Sequence, residues 1–167
     1  MKYSLVYMLL FFISSTSVAQ GSLDQVLRLF NSESIPYISV EELRMYQLKG
    51  DLVILDSREM EEFEVSHIPS ARYVGYKNFS SQSITSSIPD KDSPIVVYCS
   101  LGIRSETIGE KLKKLGYTNI QNLYGGIFEW KNKGYPVIDT DGKETENVHA
   151  YTKVWGKWLN KGDKVYD

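Results

Sequence analysis

The sequence predicts an α/β fold built on an open, mainly parallel sheet. Two short apolar runs, Leu52-Val53-Ile54-Leu55 and Ile95-Val96-Val97-Tyr98, are continuous and rich in β-branched residues, as in strands buried on both faces. Segments with apolar residues at helical spacing lie between the strand-like runs. The two kinds of stretch alternate from Tyr37 to Val137 without an internal repeat, which calls for crossover connections and parallel pairing.

In chain order, Leu23, Val26, Leu27 and Phe30 have helical spacing behind Ser22, a candidate cap. Tyr37 and Ile38 read as a short edge strand. Ser39 followed by Glu42 forms a capping box, so Val40 to Leu48 is predicted as helix. Gly50-Asp51 turns the chain into the Leu52–Leu55 strand, placed centrally by its unbroken apolar character. Glu59 to Val65 is a short acidic helix, and Pro69 fixes the turn that leads into a brief strand at Arg72 to Val74. Asn78 to Ser87 is rich in serine and holds a further helix. Pro89 to Pro94 is a surface loop ahead of the Ile95–Tyr98 strand. Ser105 to Leu115, with Ile108, Leu112 and Leu115 on one face, is a helix that ends in lysines and Gly116. Asn119 to Leu123 is a strand, Tyr124-Gly125-Gly126 a turn, and Ile127 to Lys133 a short helix carrying Trp130. Trp130 and Phe63 read as core residues.

The N-terminus has the order of a secretory signal: Lys2, an apolar run from Leu5 to Ile13, then small residues ending Ser17-Val18-Ala19. The run is shorter than the ~20 residues a spanning helix needs. Cleavage after Ala19 leaves 148 residues, enough for one domain with a proper core. It also leaves 18 basic and 21 acidic residues, a net charge of −3, which argues against non-specific binding to nucleic acid or anionic membranes. No membrane span is expected after signal removal. The signal suits export to a bacterial periplasm, with an extracellular location as the alternative.

The chain holds one cysteine, Cys99. Exported proteins usually pair their cysteines, and this one has no partner within its own chain. It stands between the end of a strand and the start of a helix, where open α/β sheets bind ligands. A helix start offers unpaired N–H groups and the positive end of the dipole, and Arg104 adds a permanent charge. Gly102 permits backbone angles at which successive N–H groups converge, an anion nest. Such surroundings lower a thiol pKa into the ~3.5–7.5 range. The competing reading is a buried, inert cysteine; a lone cysteine in an exported chain favours the working thiol.

Other features read as structural. Asp56 and Arg58 end a strand facing the cysteine loop and are expected to brace two loops, with a place on the pocket rim as the alternative. His67 reads as a turn residue with a satisfied imidazole, with a catalytic base as the alternative. The two histidines and the distant cysteine make no metal motif. Asp139-Thr140-Asp141-Gly142 imitates a calcium loop, but Val137 and Val148 occupy ligand positions, so it is a turn. Asn78-Phe79-Ser80 has the form of a glycosylation sequon. Tyr151, Trp155 and Trp158 recur at helical spacing and are expected to pack onto the domain, with docking of a protein partner as the alternative.

Four separated segments together resemble the rhodanese-like domain family, and in particular single-domain sulfurtransferases. These are Leu55-Asp56-Ser57-Arg58 with Glu62-Phe63; His67-Ile68-Pro69-Ser70-Ala71; Tyr98-Cys99-x-x-Gly102-x-Arg104-Ser105; and Leu123-Tyr124-Gly125-Gly126 followed by Trp130. Order and spacing fit across about residues 39–137. The resemblance implies helices on both faces of the sheet and a rhodanese-like domain at 20–138, while the signal at 1–19 and an aromatic extension at 139–167 lie outside it. It implies Cys99 as nucleophile and the loop Ser100, Leu101, Gly102, Ile103, Arg104 and Ser105 as the cradle of a Cys99 persulfide, with no metal or organic cofactor. Sulfur would pass from thiosulfate, polysulfide or a persulfide to cyanide or a thiol. A binding or redox-sensing module with little turnover is the alternative.

Ser66 and Ser70 replace two glycines of the family pattern, and Arg104 is the loop's only cation, where a dianion such as thiosulfate would favour more. Cysteine phosphatases of similar design place five residues between nucleophile and arginine. Here four separate Cys99 from Arg104, a narrower cradle that suits sulfur.

Overall fold

The computed structural model describes residues 23–50 and 52–166. The signal at 1–19 and the cap at Ser22 lie outside the described residues. The chain divides after Ser32 into two compact units. The first carries helix α1 at residues 23–30. The second begins at Glu33 and holds everything that follows.

Five parallel strands form the central sheet: β1 (Tyr37–Ile38), β2 (Val53–Asp56), β3 (Arg72–Tyr73), β4 (Ile95–Tyr98) and β5 (Ile120–Leu123). Their order is β1-β5-β4-β2-β3, with β1 and β3 at the edges. β4 sits in the middle because all four of its residues are buried, whereas the short edge strands carry a half-buried or exposed residue each. The crossovers are α2 (Val40–Lys49), α3 (Met60–Val65), α4 (Ser81–Ser87) and α5 (Ile103–Lys114), and α6 (Gly126–Asn132) follows β5. The capping box holds at α2: Ser39 Oγ accepts the Glu42 N–H at 3.2 Å, and Glu42 Oε2 accepts the Ser39 N–H at 3.1 Å.

Alternation along the strands divides the core. Val53, Leu55, Ile95, Val97 and Ile120 pack with Ile84 and Ile88 from the α4 side and Ile108 and Leu112 of α5. Ile54 and Val96 point to the opposite face and are equally buried. There Tyr46 and Lys49 of α2 stand beside Val96 and Gln121. Each such aliphatic side chain contributes roughly 1.5–3 kcal/mol by leaving water. Trp130 is fully buried, but Phe63 is only half-buried, with its ring stacked on His67 at a centroid distance of 3.9 Å.

Residues beyond Val137 stay within the same unit. β6 (Val137–Ile138) and β7 (Glu144–Thr145) form a hairpin, and β8 (Asn147–His149) pairs in parallel with β9 (Asp163–Val165). The Asp139–Gly142 stretch is the hairpin turn: Asp139 Oδ1 accepts the N–H groups of Asp141 and Lys143, each at 2.9 Å. The helical spacing of Tyr151, Trp155 and Trp158 does not give an α-helix; turns lead into a 3-10 turn at Gly156–Trp158. A Cβ on Gly156 would lie 2.7 Å from Tyr166 Oη and 3.2 Å from Ala150 Cβ, so close packing rather than helix propensity dictates this stretch. The extension is anchored by aliphatic groups: Val148, Ala150 and Leu159 are fully buried, while Tyr151 is 44 % exposed. Among the described residues no helix is long and apolar enough to cross a membrane.

Candidate active site

Register decides where Cys99 stands. Asp56 lies opposite Tyr98, and Val97 opposite Asn122, so the C-terminal ends of β2, β4 and β5 meet around the residue that follows Tyr98. Cys99 is free of any disulfide and only 2 % exposed. Gly102 adopts φ 113° and ψ 7°, a conformation that strongly favours glycine. It turns the Gly102 N–H back onto Cys99 Sγ at 3.1 Å. Ser105 Oγ lies 3.5 Å from the same sulfur.

Helix α5 begins at Ile103, two residues before the start expected from sequence, and has no side-chain cap. Its Ncap is Gly102, so the backbone alone performs the turn, and Ser105 sits inside the first helical turn facing the sulfur. Ser100 and Leu101 are buried, and Ile103 and Arg104 are partly covered.

Burial pushes the Cys99 thiol up. The Arg104 charge, the Ser105 hydroxyl, and the N–H groups of Ser105 and Gly102 outweigh it, so the thiol pKa is lowered. Arg104 is not a free cation. Its Nη1 and Nη2 donate to Glu62 Oε2 and Oε1 at 2.6 and 2.8 Å, and Nη2 also reaches Ser100 Oγ at 3.0 Å. Burial alone would raise the Glu62 carboxyl, but hydrogen bonding and charge from Arg104 hold it below its ordinary value.

Asp56 and Arg58 are both fully buried. Arg58 grips Asp56 through Nε at 3.0 Å and Nη2 at 2.7 Å and donates to the Ser66 carbonyl at 2.6 Å. Asp56 also accepts the Tyr98 hydroxyl at 2.6 Å, which in turn accepts the Ile68 N–H at 3.1 Å. The cluster ties β2 and β4 to the His67–Pro69 turn. The His67 ring bonds through Nδ1 to the Phe63 carbonyl at 3.1 Å, and its backbone pairs with Ile138 in both directions at 2.9 Å. Among the described residues no group of His, Cys, Asp or Glu could hold a metal ion.

Asn122 is a site residue that the sequence reading missed. Fully buried on β5, it donates from Nδ2 to the Gly102 carbonyl at 2.8 Å and accepts the Ser105 hydroxyl at 2.7 Å. It therefore fixes both groups that approach the sulfur. An amide in a strand otherwise reading as core was the available signal.

The second glycine of Gly125-Gly126 has a steric purpose. The N–H groups of Ile127 and Phe128 bond the Cys99 and Ser100 carbonyls at 2.9 and 3.2 Å, pressing the start of α6 onto the loop. A Cβ at Gly126 would stand 2.3 Å from the Cys99 carbonyl oxygen, and φ is +56°. Gly126→Ala is therefore expected to cost about 2–4 kcal/mol, read as a lower urea midpoint at unchanged slope, with loss of the slow-exchanging amides at Ile127 and Phe128.

Comparison with known proteins agrees with this geometry. The model of the rhodanese-like domain matches residues 39–133. The chain belongs to the rhodanese-like family. It is 31 % identical over 97 residues to the thiosulfate sulfurtransferase GlpE of Coxiella burnetii, covering 57 % of this chain and 88 % of that protein. It is 30 % identical over 128 residues to the tRNA uridine(34) hydroxylase of Erwinia tasmaniensis, covering 72 % of this chain and 36 % of that one. A crystal structure of a rhodanese-related protein from Thermoplasma volcanium superposes with a TM-score of 0.51 at 29 % identity, over 62 % of this chain and 97 % of that chain. Activities named within the family thus differ, and a sulfur-transfer role is the one these comparisons support. The match ends before β6, so the extension lies outside it.

Proposed function

We propose that this rhodanese-like protein is a sulfurtransferase that carries sulfane sulfur on Cys99 and works outside the cytoplasm, in a periplasm or beyond it. The observation that carries the reading is the Gly102 N–H aimed at Cys99 Sγ at 3.1 Å, at the start of α5. The signal-like order of residues 1–19 supports export.

The Cys99 thiolate attacks the outer sulfur of a donor. With thiosulfate, the S–S bond breaks, sulfite leaves with the bonding pair, and Cys99 becomes a persulfide anion. The extra sulfur is held by the N–H groups at the helix start, a charge placement that needs no metal. An acceptor then attacks the outer sulfur. Cyanide leaves as thiocyanate, and a thiol leaves as its own persulfide; either restores the thiolate. Two half-reactions of this kind give ping-pong kinetics.

Intact mass of the purified protein after incubation with thiosulfate, and separately with polysulfide, tests the proposal. The expected result is a gain of one sulfur atom that cyanide removes and that the Cys99→Ser variant never acquires. No gain from either donor, in protein whose thiol still alkylates, would overturn it.

A further inference from the structure

Arg104 is closed on two sides. Its guanidinium edge is held by Glu62. One of its faces is covered by the ring of Tyr151, with the guanidinium carbon 4.6 Å from the ring centroid. The Arg104 side chain keeps 14 % exposure while Tyr151 itself is 44 % exposed, so the ring stands between the guanidinium and solvent. Tyr151 belongs to the extension beyond the family match at residues 39–133.

The backbone carries a second, independent sign. Tyr151 has φ +64°, a left-handed conformation rare for a bulky residue. It is imposed from both sides. The Tyr151 N–H donates to His149 Nδ1 at 3.1 Å, and the Thr152 N–H closes onto the Ala150 carbonyl at 2.8 Å. Val148 and Ala150 are fully buried, and Ser66 Oγ donates to the Asn147 carbonyl at 2.6 Å, so the extension is bolted to the turn after α3. Strained residues persist where the surroundings over-determine them, and they gather at ligand clamps. Here the strain delivers one aromatic ring to the only cation of the cysteine loop.

We propose that Tyr151 sets donor specificity: its ring closes the outward face of Arg104 and disfavours a compact dianion such as thiosulfate relative to the persulfide of an organic thiol. This rests on the sulfur-transfer reading above. A dianion needs an uncommitted cation, and Arg104 offers a guanidinium already paired with Glu62 and shielded by a π-face. An organic persulfide, R–S–SH, needs less charge and gains an apolar wall for R. The Cys99 thiolate attacks its terminal sulfur, the S–S bond breaks, RS⁻ leaves with the bonding pair, and Cys99–S–SH keeps the proton.

The test compares kcat/KM for thiosulfate and for glutathione persulfide, with a common thiol acceptor, in the wild type and in Tyr151→Ala, Tyr151→Asn and Tyr151→Phe. Asparagine tolerates positive φ, so that variant removes the ring without the backbone conflict. The ratio of thiosulfate to persulfide specificity is expected to rise about tenfold in the Ala and Asn variants and to stay near wild type in Phe. A ratio that moves by less than about threefold in both ring-less variants, with the wild type turning over, overturns the role of Tyr151 and leaves the sulfur-transfer reading standing. A wild type that turns over neither donor overturns both.

Discussion

Asp56→Ala is expected to destabilise the fold by about 3–5 kcal/mol, because it leaves Arg58 charged and buried without its counter-ion. Both side chains have 0 % exposure, and the pair is joined at 2.7 Å. The loss spreads beyond the ion pair. The Tyr98 hydroxyl gives its proton to Asp56 at 2.6 Å while accepting the Ile68 N–H, so deletion of the carboxylate also unseats the hydroxyl that fixes the His67–Pro69 turn. Burial and the Asp56 charge hold the Tyr98 hydroxyl well above its ordinary pKa, so it remains a donor throughout the working range. Arg58 Nη1 already lacks a hydrogen-bond partner among the described residues, so the pair is not fully compensated even in the intact protein. Asp56→Leu combined with Arg58→Met should therefore recover the part of the loss that comes from the stranded Arg58 charge, since apolar replacement of a whole buried pair is often neutral, while the Tyr98 hydroxyl still lacks its acceptor. Urea denaturation of the single and double variants is the measurement. A single variant within about 1 kcal/mol of wild type would remove the ion pair from the account of the fold.

What the sequence disclosed, and what it withheld, follows from the range of each interaction. β4 matches its sequence reading residue for residue, because four consecutive buried apolar residues have no other low-energy arrangement in a parallel sheet. The α2 boundary was legible because Ser39 and Glu42 cap it locally. The start of α5 was read two residues late because its cap is a glycine backbone at φ 113°, which leaves no side-chain signal. Cys99, Gly102 and Arg104 were visible as a short loop between strand and helix. Glu62 and Asn122 were not visible as parts of the site. Their partners lie 42 residues away for Arg104–Glu62 and 20 for Asn122–Gly102, and only the tertiary fold brings them together. The extension was least legible. Its strands are two or three residues long, and its aromatic spacing suggested a helix that Gly156 gives up in order to pack against Tyr166 and Ala150.

Arg104→Met should raise the Cys99 pKa and slow alkylation at neutral pH by at least about tenfold. The thiolate is the reactive form, so the rate climbs with pH and levels off once the thiol is ionised. In the wild type the midpoint lies below the ordinary thiol value, because Arg104, Ser105 and the Gly102 and Ser105 N–H groups outweigh the opposing effect of burial. Removal of the guanidinium leaves burial opposed only by neutral donors, and the midpoint moves up. The same change strands Glu62, 3 % exposed, without the cation that holds its pKa down. Glu62 is then expected to take up a proton, and the single variant confounds a destabilised loop with an electrostatic effect on the sulfur. Adding Glu62→Gln separates the two. The double variant has no stranded carboxylate, so stability should return toward wild type while the alkylation midpoint stays high. If the midpoint instead returns with stability, the thiol is governed by loop geometry through Asn122, Gly102 and Ser105, and the charge of Arg104 serves to hold Glu62 and the Ser100 hydroxyl in place.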